Sequence, residues 1–254
     1  MRRAICGLML AALLCVSACA SDPAATSPSA PGLAATGPPI RVLMLTATAG
    51  FRHDSIATAR QVMSSLAAST GEFTIAATED IAMLNASSLA AFDVVFFANT
   101  SGELPLAADQ KAALIDFVSR GNGFVGTHSA TDTLYDWPDY GRLVGAYFKE
   151  HPWTQTGTLV VEDQSHPATR GLTDRFATME EFYTFRENPR PRVQVLVRLD
   201  AVSVGSTGDY PLAWAQSFGS GRTYYNALGH FDTTWTDTRF QQQLRGALRW
   251  VARR

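Results

Sequence analysis

Hydrophobic residues from position 40 onward fall into short continuous runs that are separated by amphipathic stretches. Residues 40–47, 93–100 and 123–128 are such runs, as expected for strands that are covered on both faces of a sheet. Between the last two runs, residues 107–121 have helical spacing, and Gly121 suits the carboxyl end of that helix. Strands that alternate with helices at this spacing predict βαβ units and a parallel sheet.

The other elements of the first half fit the same alternation. A helix is predicted over 56–69, with Asp54 or Ser55 able to cap its first turn. It leads into a strand over 72–78, which is followed by a short helix or turn over 84–92. The first half of the domain therefore predicts parallel strands with helices between them.

The second half is less regular and predicts a mixed or antiparallel extension of the sheet. A hairpin is predicted around 218–221, and residues 170–176, which follow a turn at His166, have a helix-like pattern. A last helix begins near Asp237 and carries one apolar stripe. The predicted strands are 156–163, 191–200, 210–219 and 221–230, and the stripe is Phe240, Leu244, Leu248 and Val251. The whole pattern predicts one doubly wound α/β domain.

Composition supports a single globular domain and excludes some classes of partner. The chain has 254 residues, of which 46% are hydrophobic and 17% are charged, enough for one sizeable core. Its formal net charge is −2, so the overall charge gives no argument for a nucleic-acid partner.

The amino-terminal residues predict export. Arg2 and Arg3 precede an apolar run over 4–18, which is too short to cross a bilayer but suits a secretory signal. The run ends in the sequence Val-Ser-Ala-Cys at 16–19, which resembles a bacterial lipobox. We expect residues 1–19 to be a lipoprotein signal peptide with lipid attached at Cys19. The alternative is ordinary cleavage nearby, which would release a soluble protein.

The segment that follows predicts a tether. Residues 20–39 contain five prolines among small residues, a composition that does not bury a core. A disordered segment of this length reaches roughly 25 to 60 Å, which holds the domain over 40–254 clear of a membrane surface. Ala20 is not the aspartate of an inner-membrane retention signal, so we expect the outer membrane and a domain that faces the periplasm.

Cysteine usage limits the chemistry of the exported domain. All three cysteines, Cys6, Cys15 and Cys19, lie in the leader. The exported domain therefore has no disulfide and no thiol nucleophile, which excludes cysteine-dependent amidotransfer and proteolysis.

Histidines supply the candidate chemistry. Three of the five, His53, His128 and His230, come just after predicted strands. In open α/β sheets the loops beyond the carboxyl ends of parallel strands form the ligand crevice, so we expect these three imidazoles to converge. His151 lies in a polar loop beside Lys149 and Glu150, and His166 lies in a turn.

Carboxylates extend this set. Asp132 follows His128 by four residues, Glu180 and Glu181 are adjacent, and Asp232 comes soon after the last histidine. Imidazoles with carboxylates bind zinc or another divalent metal, and they also transfer protons. The sequence has no HxH, HExxH or CxxC motif, so residue spacing leaves both alternatives open.

Aromatic residues near these positions predict walls for a binding site. Phe51, Tyr135, Trp137, Tyr183 and Phe231 flank the polar candidates. Aromatic rings beside polar groups suit sugar rings, and core packing is the alternative explanation.

Several segments together resemble the ThuA-like trehalose-utilisation family. The resemblance keeps its order over nearly all of residues 40–254, and its segments are 46–56, 126–152, 160–172, 180–185 and 211–231. It implies a flavodoxin-like fold of the class I glutamine amidotransferase type with a mostly parallel sheet. It also implies loss of the amidotransferase cysteine, in agreement with the Gly-Thr-His sequence at 126–128.

The resemblance implies the site residues as well. The matching positions are His53, His128, Asp132, His151, Glu181, Tyr183 and His230. Two departures are Glu180, where the family has Asp, and the Phe-Asp pair at 231–232. Our hypothesis assigns metal binding to His53, His128 and His230, catalysis to His128, Asp132 and Glu181, and substrate binding to Phe51, Trp137, His151 and Tyr183.

The function implied by the resemblance is work on glucosides or their 3-keto derivatives. A divalent metal such as zinc, or a histidine, would polarise the ketone, and a carboxylate would abstract the neighbouring proton. The partners expected are a small saccharide and a membrane reached only through the amino-terminal lipid. The alternatives are a carbohydrate-binding domain without catalysis and a structural domain with a degenerate pocket.

Overall fold

The computed structural model describes Met1 and residues 37–254. Residues 37–254 lie in one compact unit with its own hydrophobic core, as independent folding requires. Apart from Met1, the predicted signal peptide with Cys19 and most of the predicted tether lie outside the described residues. Among the residues described, no helix has the length and hydrophobicity to cross a membrane.

The described residues form one nine-stranded sheet with six α-helices. The strands are β1 (Ile40–Leu45), β2 (Phe73–Thr78), β3 (Val94–Ala98), β4 (Gly123–Thr127), β5 (Phe148–Val161), β6 (Arg175–Phe185), β7 (Gln194–Leu199), β8 (Tyr210–Phe218) and β9 (Gly221–Asn226). The helices are α1 (Ile56–Thr70), α2 (Ala86–Leu89), α3 (Ala108–Ser119), α4 (Pro138–Val144), α5 (Asp232–Thr236) and α6 (Thr238–Val251).

One half of the sheet is parallel, in the order β2-β1-β3-β4-β9. This is the flavodoxin-like strand order, and it confirms the predicted fold class. The strand predicted over 221–230 belongs here, since β9 pairs in parallel with β4 from Gly123–Arg222 to Thr127–Asn226. The carboxyl ends of β1, β3, β4 and β9 therefore meet at one edge of the sheet.

The other half is antiparallel, in the order β8-β7-β5-β6. It confirms the predicted extension, but one prediction inside it is wrong. Residues 170–176 are not helical: they form a turn and the start of β6. The hydrophobic pattern misses β6 because Glu180 and Glu181 lie in its middle. Both carboxylates face partners inside the protein and not solvent.

The core lies on both faces of the parallel strands. Every residue of β3 and β4 is buried, as their continuous apolar sequences predict. The predicted stripe of α6, which is Phe240, Leu244, Leu248 and Val251, is also buried. Burying a side chain of this size contributes about 1.5–3 kcal/mol, so this stripe fixes α6 against the sheet.

Candidate metal centre

Three loops bring the predicted histidines to one point at the carboxyl ends of the parallel strands. His53 follows β1, His128 follows β4 and His230 follows β9. His128 Nε2 lies 3.0 Å from His53 Nε2 and 3.3 Å from His230 Nδ1. Together with Glu181 of β6, they place four possible ligand atoms within 4.8 Å of one another. These four side chains are called the histidine cluster below.

The backbone of His128 is held in an unfavourable conformation. Its φ is 47°, in the left-handed region that costs a non-glycine residue about 1–3 kcal/mol. Its carbonyl accepts hydrogen bonds from Tyr225 Oη at 2.7 Å and Thr131 Oγ1 at 3.2 Å, which keep this turn in place. The sharp turn after β4 thus presents the imidazole of His128 at the carboxyl ends of the parallel strands.

One hydrogen bond fixes the tautomer of His128. Its Nδ1 lies 2.9 Å from the carbonyl oxygen of Ala227, and a carbonyl only accepts, so Nδ1 carries the hydrogen. The lone pair of the neutral ring is then on Nε2, which faces the other members of the cluster. This arrangement is the usual one for a metal-binding histidine, whose second nitrogen donates to a carbonyl or carboxylate.

The loops are tied together through the carbonyl of Gly229. It accepts hydrogen bonds from Ser55 Oγ at 2.9 Å, Asn99 Nδ2 at 2.8 Å and Trp235 Nε1 at 2.9 Å. Ser55 was predicted as a possible cap of α1, but its side chain makes no capping bond because it reaches Gly229. Asn99, with a φ of 51°, follows β3 directly and was missed by the sequence analysis. Its position just after a buried strand, like that of the three histidines, is the feature of the sequence that could have identified it.

The two neighbouring glutamates of β6 contact different partners, because successive side chains of a strand point to opposite faces. Glu180 is fully buried and accepts hydrogen bonds from Gly229 N at 3.0 Å, His230 N at 3.2 Å and Thr234 Oγ1 at 2.7 Å. It fixes the loop that carries His230. Glu181 Oε2 faces the cluster, 3.1 Å from His230 Nδ1.

Burial and contacts within the cluster shift the pKa values of three of its members in different directions. Burial, with the nearby charges of His128 and His230, lowers the pKa of His53 to about 3. A hydrogen bond to Glu181 raises the pKa of His230 against the effect of burial. Burial raises the pKa of Glu181, but its contacts with the imidazoles of His128 and His230 outweigh that effect and hold the pKa below its usual range. A neutral imidazole and an ionised carboxylate are the forms that bind metals, so the shifts of His53 and Glu181 favour a cation, whereas His230 has to release a proton to bind one.

Most of the donor-atom separations are close to those around a small divalent ion. A tetrahedral zinc ion with bonds of about 2.0–2.1 Å holds its ligand atoms about 3.3 Å apart. Four of the six separations in the cluster are 3.0, 3.1, 3.3 and 3.5 Å, and the other two lie within 4.8 Å. Three nitrogen donors and one carboxylate oxygen suit zinc and related transition metals. The residues present can therefore hold such an ion.

Comparison with known proteins identifies the family. The family model described as ThuA, trehalose utilisation, matches residues 41–251. The chain belongs to the ThuA family. A putative ThuA-like protein from Bacteroides uniformis is 24% identical with a TM-score of 0.73, over 88% of this chain and 95% of that one.

Two further solved structures share the fold. A putative ThuA-like protein from Parabacteroides merdae is 20% identical, with a TM-score of 0.69, over 84% of this chain and 90% of its own. A beta-galactosidase from Bacillus circulans is 14% identical, with a TM-score of 0.55, over 84% of this chain and 31% of its own. No curated protein matches the chain. At these identities, likeness to the solved structures shows the fold alone.

Three residues predicted to bind substrate surround the cluster in this ThuA-family chain. Tyr183 is buried, and its hydroxyl lies 3.0 Å from His128 Nε2. His151 is half-exposed, with Nδ1 3.3 Å from Glu181 Oε1. Phe51 is 65% exposed, and its ring packs edge-on against His53 with centroids 4.8 Å apart. The cluster therefore reaches solvent beside a phenyl ring and an imidazole.

Asp132 and Trp137 lie outside the cluster. Asp132 Oδ1 accepts a hydrogen bond from Tyr135 Oη at 2.6 Å, and burial raises the pKa of this aspartate. Trp137 is only 8% exposed, stacks on Tyr140 and has the Lys111 ammonium 5.5 Å from its ring centroid. It packs in the core, so its predicted role in substrate binding has no contact to support it.

The fifth histidine does not join the others in this ThuA fold. His166 is buried, its ring packs against Trp250 with centroids 4.8 Å apart, and its Nδ1 accepts a hydrogen bond from Ala168 N at 3.1 Å. Burial lowers its pKa to about 4. Its surroundings are those of a neutral histidine that packs between a loop and α6.

Proposed function

We propose that this ThuA-family domain is a metal-dependent enzyme that cleaves glucosides after their oxidation to 3-keto sugars. One observation carries the proposal: three imidazoles and a carboxylate lie within 4.8 Å of one another at a solvent-accessible edge. Binding a sugar without chemistry needs mainly amides, carboxylates and aromatic rings. The trehalose-utilisation description of the family favours a saccharide as the substrate.

The histidine cluster would hold the metal ion through His53, His128, Glu181 and His230. When bound, a divalent ion supplies a Lewis acid for a carbonyl oxygen of the substrate. Tyr183 assists from the protein side. Burial raises the pKa of its hydroxyl well above the usual range, so this group stays protonated. It donates a hydrogen bond to the oxygen on which negative charge develops.

Asp132 is the proposed base. Burial raises the pKa of Asp132, which makes it a better proton acceptor, and the Tyr135 hydroxyl orients it. Asp132 takes the proton from the carbon beside the ketone, and the electrons of that C–H bond form an enolate. The glycosidic carbon–oxygen bond then breaks as the enolate reverts to a ketone, now conjugated to a new double bond. The departing oxygen takes a proton from His151, and addition of water to the double bond completes the hydrolysis.

The test is turnover of 3-keto-trehalose and trehalose, followed by mass spectrometry on zinc-loaded and chelator-treated protein. The proposal predicts consumption of the keto sugar alone, and only by loaded protein. Asp132→Asn should abolish turnover and keep the metal, because this side chain is not in the cluster. Asp136→Asn, an exposed carboxylate nearby, is the matched control and should stay active. Full turnover by Asp132→Asn would refute the role of the base, and turnover by metal-free protein would refute the role of the metal.

Carbohydrate binding without catalysis is the second candidate, because the ring of Phe51 is exposed beside the cluster. Exposed aromatic rings at a polar site suit the apolar face of a sugar. Under this alternative the disaccharides bind and remain intact over any incubation. Phe51→Ala then lowers affinity without any effect on product formation.

We further propose that the domain is anchored in the cell envelope through lipid on Cys19, with the outer membrane and the periplasmic face as its location. The lipobox-like end of the leader supports this. In cells fed labelled palmitate, Cys19→Ala should lose both the label and the membrane association. Cys15→Ala is the matched control and should keep both. Labelling of Cys19→Ala would contradict the assignment.

A further inference from the structure

A groove lined by arginine residues lies beside α6. It encloses about 640 Å³, and its lining includes Arg170, Arg245, Arg249 and Arg254, together with Gln241 and Gln242. These residues and the space between them are called the arginine groove. Its volume is in the range of sites for small ligands or headgroups.

Close packing brings the parts of this groove together. Gly246 of α6 lies against the backbone of Pro167, and a methyl group on this glycine would be only 2.1 Å from the Pro167 carbonyl oxygen. Gln242 Nε2 donates a hydrogen bond to the carbonyl of Arg170 at 2.6 Å. The loop that carries Arg170 is therefore held beside the arginines of α6. The groove is built by the fold and is not a chance overlap of mobile side chains.

The charge of the groove is strongly positive. Among its lining residues that the structure describes, none is acidic. Glu72 lies next to it, with Arg245 Nε 3.2 Å and Arg249 Nη1 3.1 Å from its carboxylate oxygens. One carboxylate thus pairs with two of the four arginines of the groove, and guanidinium stays charged at any physiological pH. The chain as a whole has a net charge of −2, so this positive region is local.

The groove lies where the described part of the domain begins. A methyl group on Gly37 would be 3.3 Å from Arg254 Nη1. The proposed lipid at Cys19 would reach this point through a predicted tether of roughly 20 residues, whose reach of roughly 25 to 60 Å leaves the domain free to move to the bilayer or away from it. The groove therefore lies on the side of the domain at which the predicted tether is attached.

We propose that the arginine groove binds the phosphate groups of anionic phospholipids at that membrane. Guanidinium groups pair with phosphate oxygens through two parallel hydrogen bonds, and a cluster of them matches a surface of phosphodiesters. Binding there holds the domain against the bilayer with the arginine side inward. The inference is independent of the reaction proposed for the histidine cluster.

The test uses residues 37–254, which form a compact unit with its own core and carry no lipid. Sedimentation with phosphatidylcholine vesicles, with and without phosphatidylglycerol, measures partitioning. We expect binding only with phosphatidylglycerol, and weaker binding at high salt. Each basic residue near an anionic bilayer strengthens binding roughly fivefold, so the double variant Arg170→Gln and Arg254→Gln should bind roughly 25-fold more weakly. Both changes leave the Glu72 ion pairs intact.

The control double variant is Arg142→Gln and Arg192→Gln, which removes the same charge from exposed positions outside the groove. It should bind like the wild type, and equal losses in both variants would show that only net charge matters and overturn the proposal. Inorganic phosphate, measured by calorimetry, distinguishes the source. Tight binding of free phosphate without any preference for phosphatidylglycerol vesicles would also overturn the phospholipid assignment.

Discussion

The two ends of one sheet differ in charge, burial and construction. At the carboxyl ends of the parallel strands, three histidines and Glu181 converge from four distant segments, and all but His230 are buried. Near the start of β1, the arginine groove collects two exposed and two half-buried guanidinium groups, three of them from residues 245–254. The arginines of the groove are satisfied by water and by Glu72, whereas buried imidazole lone pairs that face one another need a proton or a cation. The histidine cluster therefore requires a bound proton or cation, whereas the arginine groove is stable in water and can also bind a ligand.

The largest expected effect is the loss of metal from His128→Ala, because this imidazole contacts every other member of the cluster. Changes to groups that merely orient a ligand cost 10–100-fold in metal affinity, so loss of the central ligand should cost at least roughly 100-fold. Competition with a chromophoric chelator measures the affinity. His166→Gln is the control at the histidine outside the cluster, and it should bind metal like the wild type. Equal metal affinities for the wild type, His128→Ala and His166→Gln would contradict the assignment of His128 as a metal ligand.

Substitutions of the two adjacent glutamates, Glu180 and Glu181, should affect stability and metal binding to different extents. Glu180→Gln leaves the buried donors of Gly229 and His230 without a charged acceptor, so we expect a loss of about 1.5–3 kcal/mol in the free energy of unfolding. Its metal affinity should fall by about 10–100-fold, because the loop of His230 loosens. Glu181→Gln should lose metal affinity without a comparable loss of stability. Urea denaturation of the metal-free proteins, with the same chelator competition, tests this, and identical behaviour of the two variants would contradict it.

His166 should make stability depend on pH. Its pKa is about 4 in the folded protein, below the ordinary value of 6.5, so the unfolded chain binds the extra proton first. The stability that the neutral ring provides is complete above pH 6.5 and is lost as the pH falls toward 4. The slope from one such group is at most about 1.4 kcal/mol per pH unit. Unfolding curves of the wild type and His166→Gln across this range should diverge, and parallel curves would show that the ring is not buried as described.

The smallest expected effect on stability belongs to Phe51→Ala at the mouth of the cluster. The ring is mostly exposed, so the free energy of unfolding should change by no more than about 0.5 kcal/mol. Its effect should appear in substrate binding, as a higher KM with kcat largely kept. A change of several degrees in Tm would mean that this ring stabilises the fold by packing and would contradict its role as a free surface for a ligand.

The sequence predicts the fold and the convergence of the histidines for a physical reason. Strands buried on both faces are read directly from continuous apolar runs, and the loops after parallel strands share one edge. The pattern fails for β6, where Glu180 and Glu181 face internal partners, and for Ser55, whose hydroxyl reaches Gly229 across the sheet edge. Contacts of that kind join residues far apart in sequence, so no local pattern reveals them.

The arginine groove could not be predicted from the sequence for the same reason, because it depends on contacts between residues far apart in the chain. Arg170 comes beside Arg245 and Arg249 only because Pro167 packs on Gly246. Trp137 shows the opposite failure, since an aromatic residue close to Asp132 in sequence packs in the core beside Tyr140. Residue type and neighbourhood indicate chemistry, but side-chain direction is decided by tertiary packing.

X-ray absorption of the zinc-loaded protein tests the central claim most directly, because it reports the atoms around the ion. The account predicts four nitrogen or oxygen neighbours at about 2.0–2.1 Å, with the scattering pattern of three imidazoles. The same spectrum from Glu181→Gln should keep the imidazole signal and lose the carboxylate contribution. A shell of water oxygens without imidazole, in protein that carries the metal, would contradict the assignment of His53, His128 and His230.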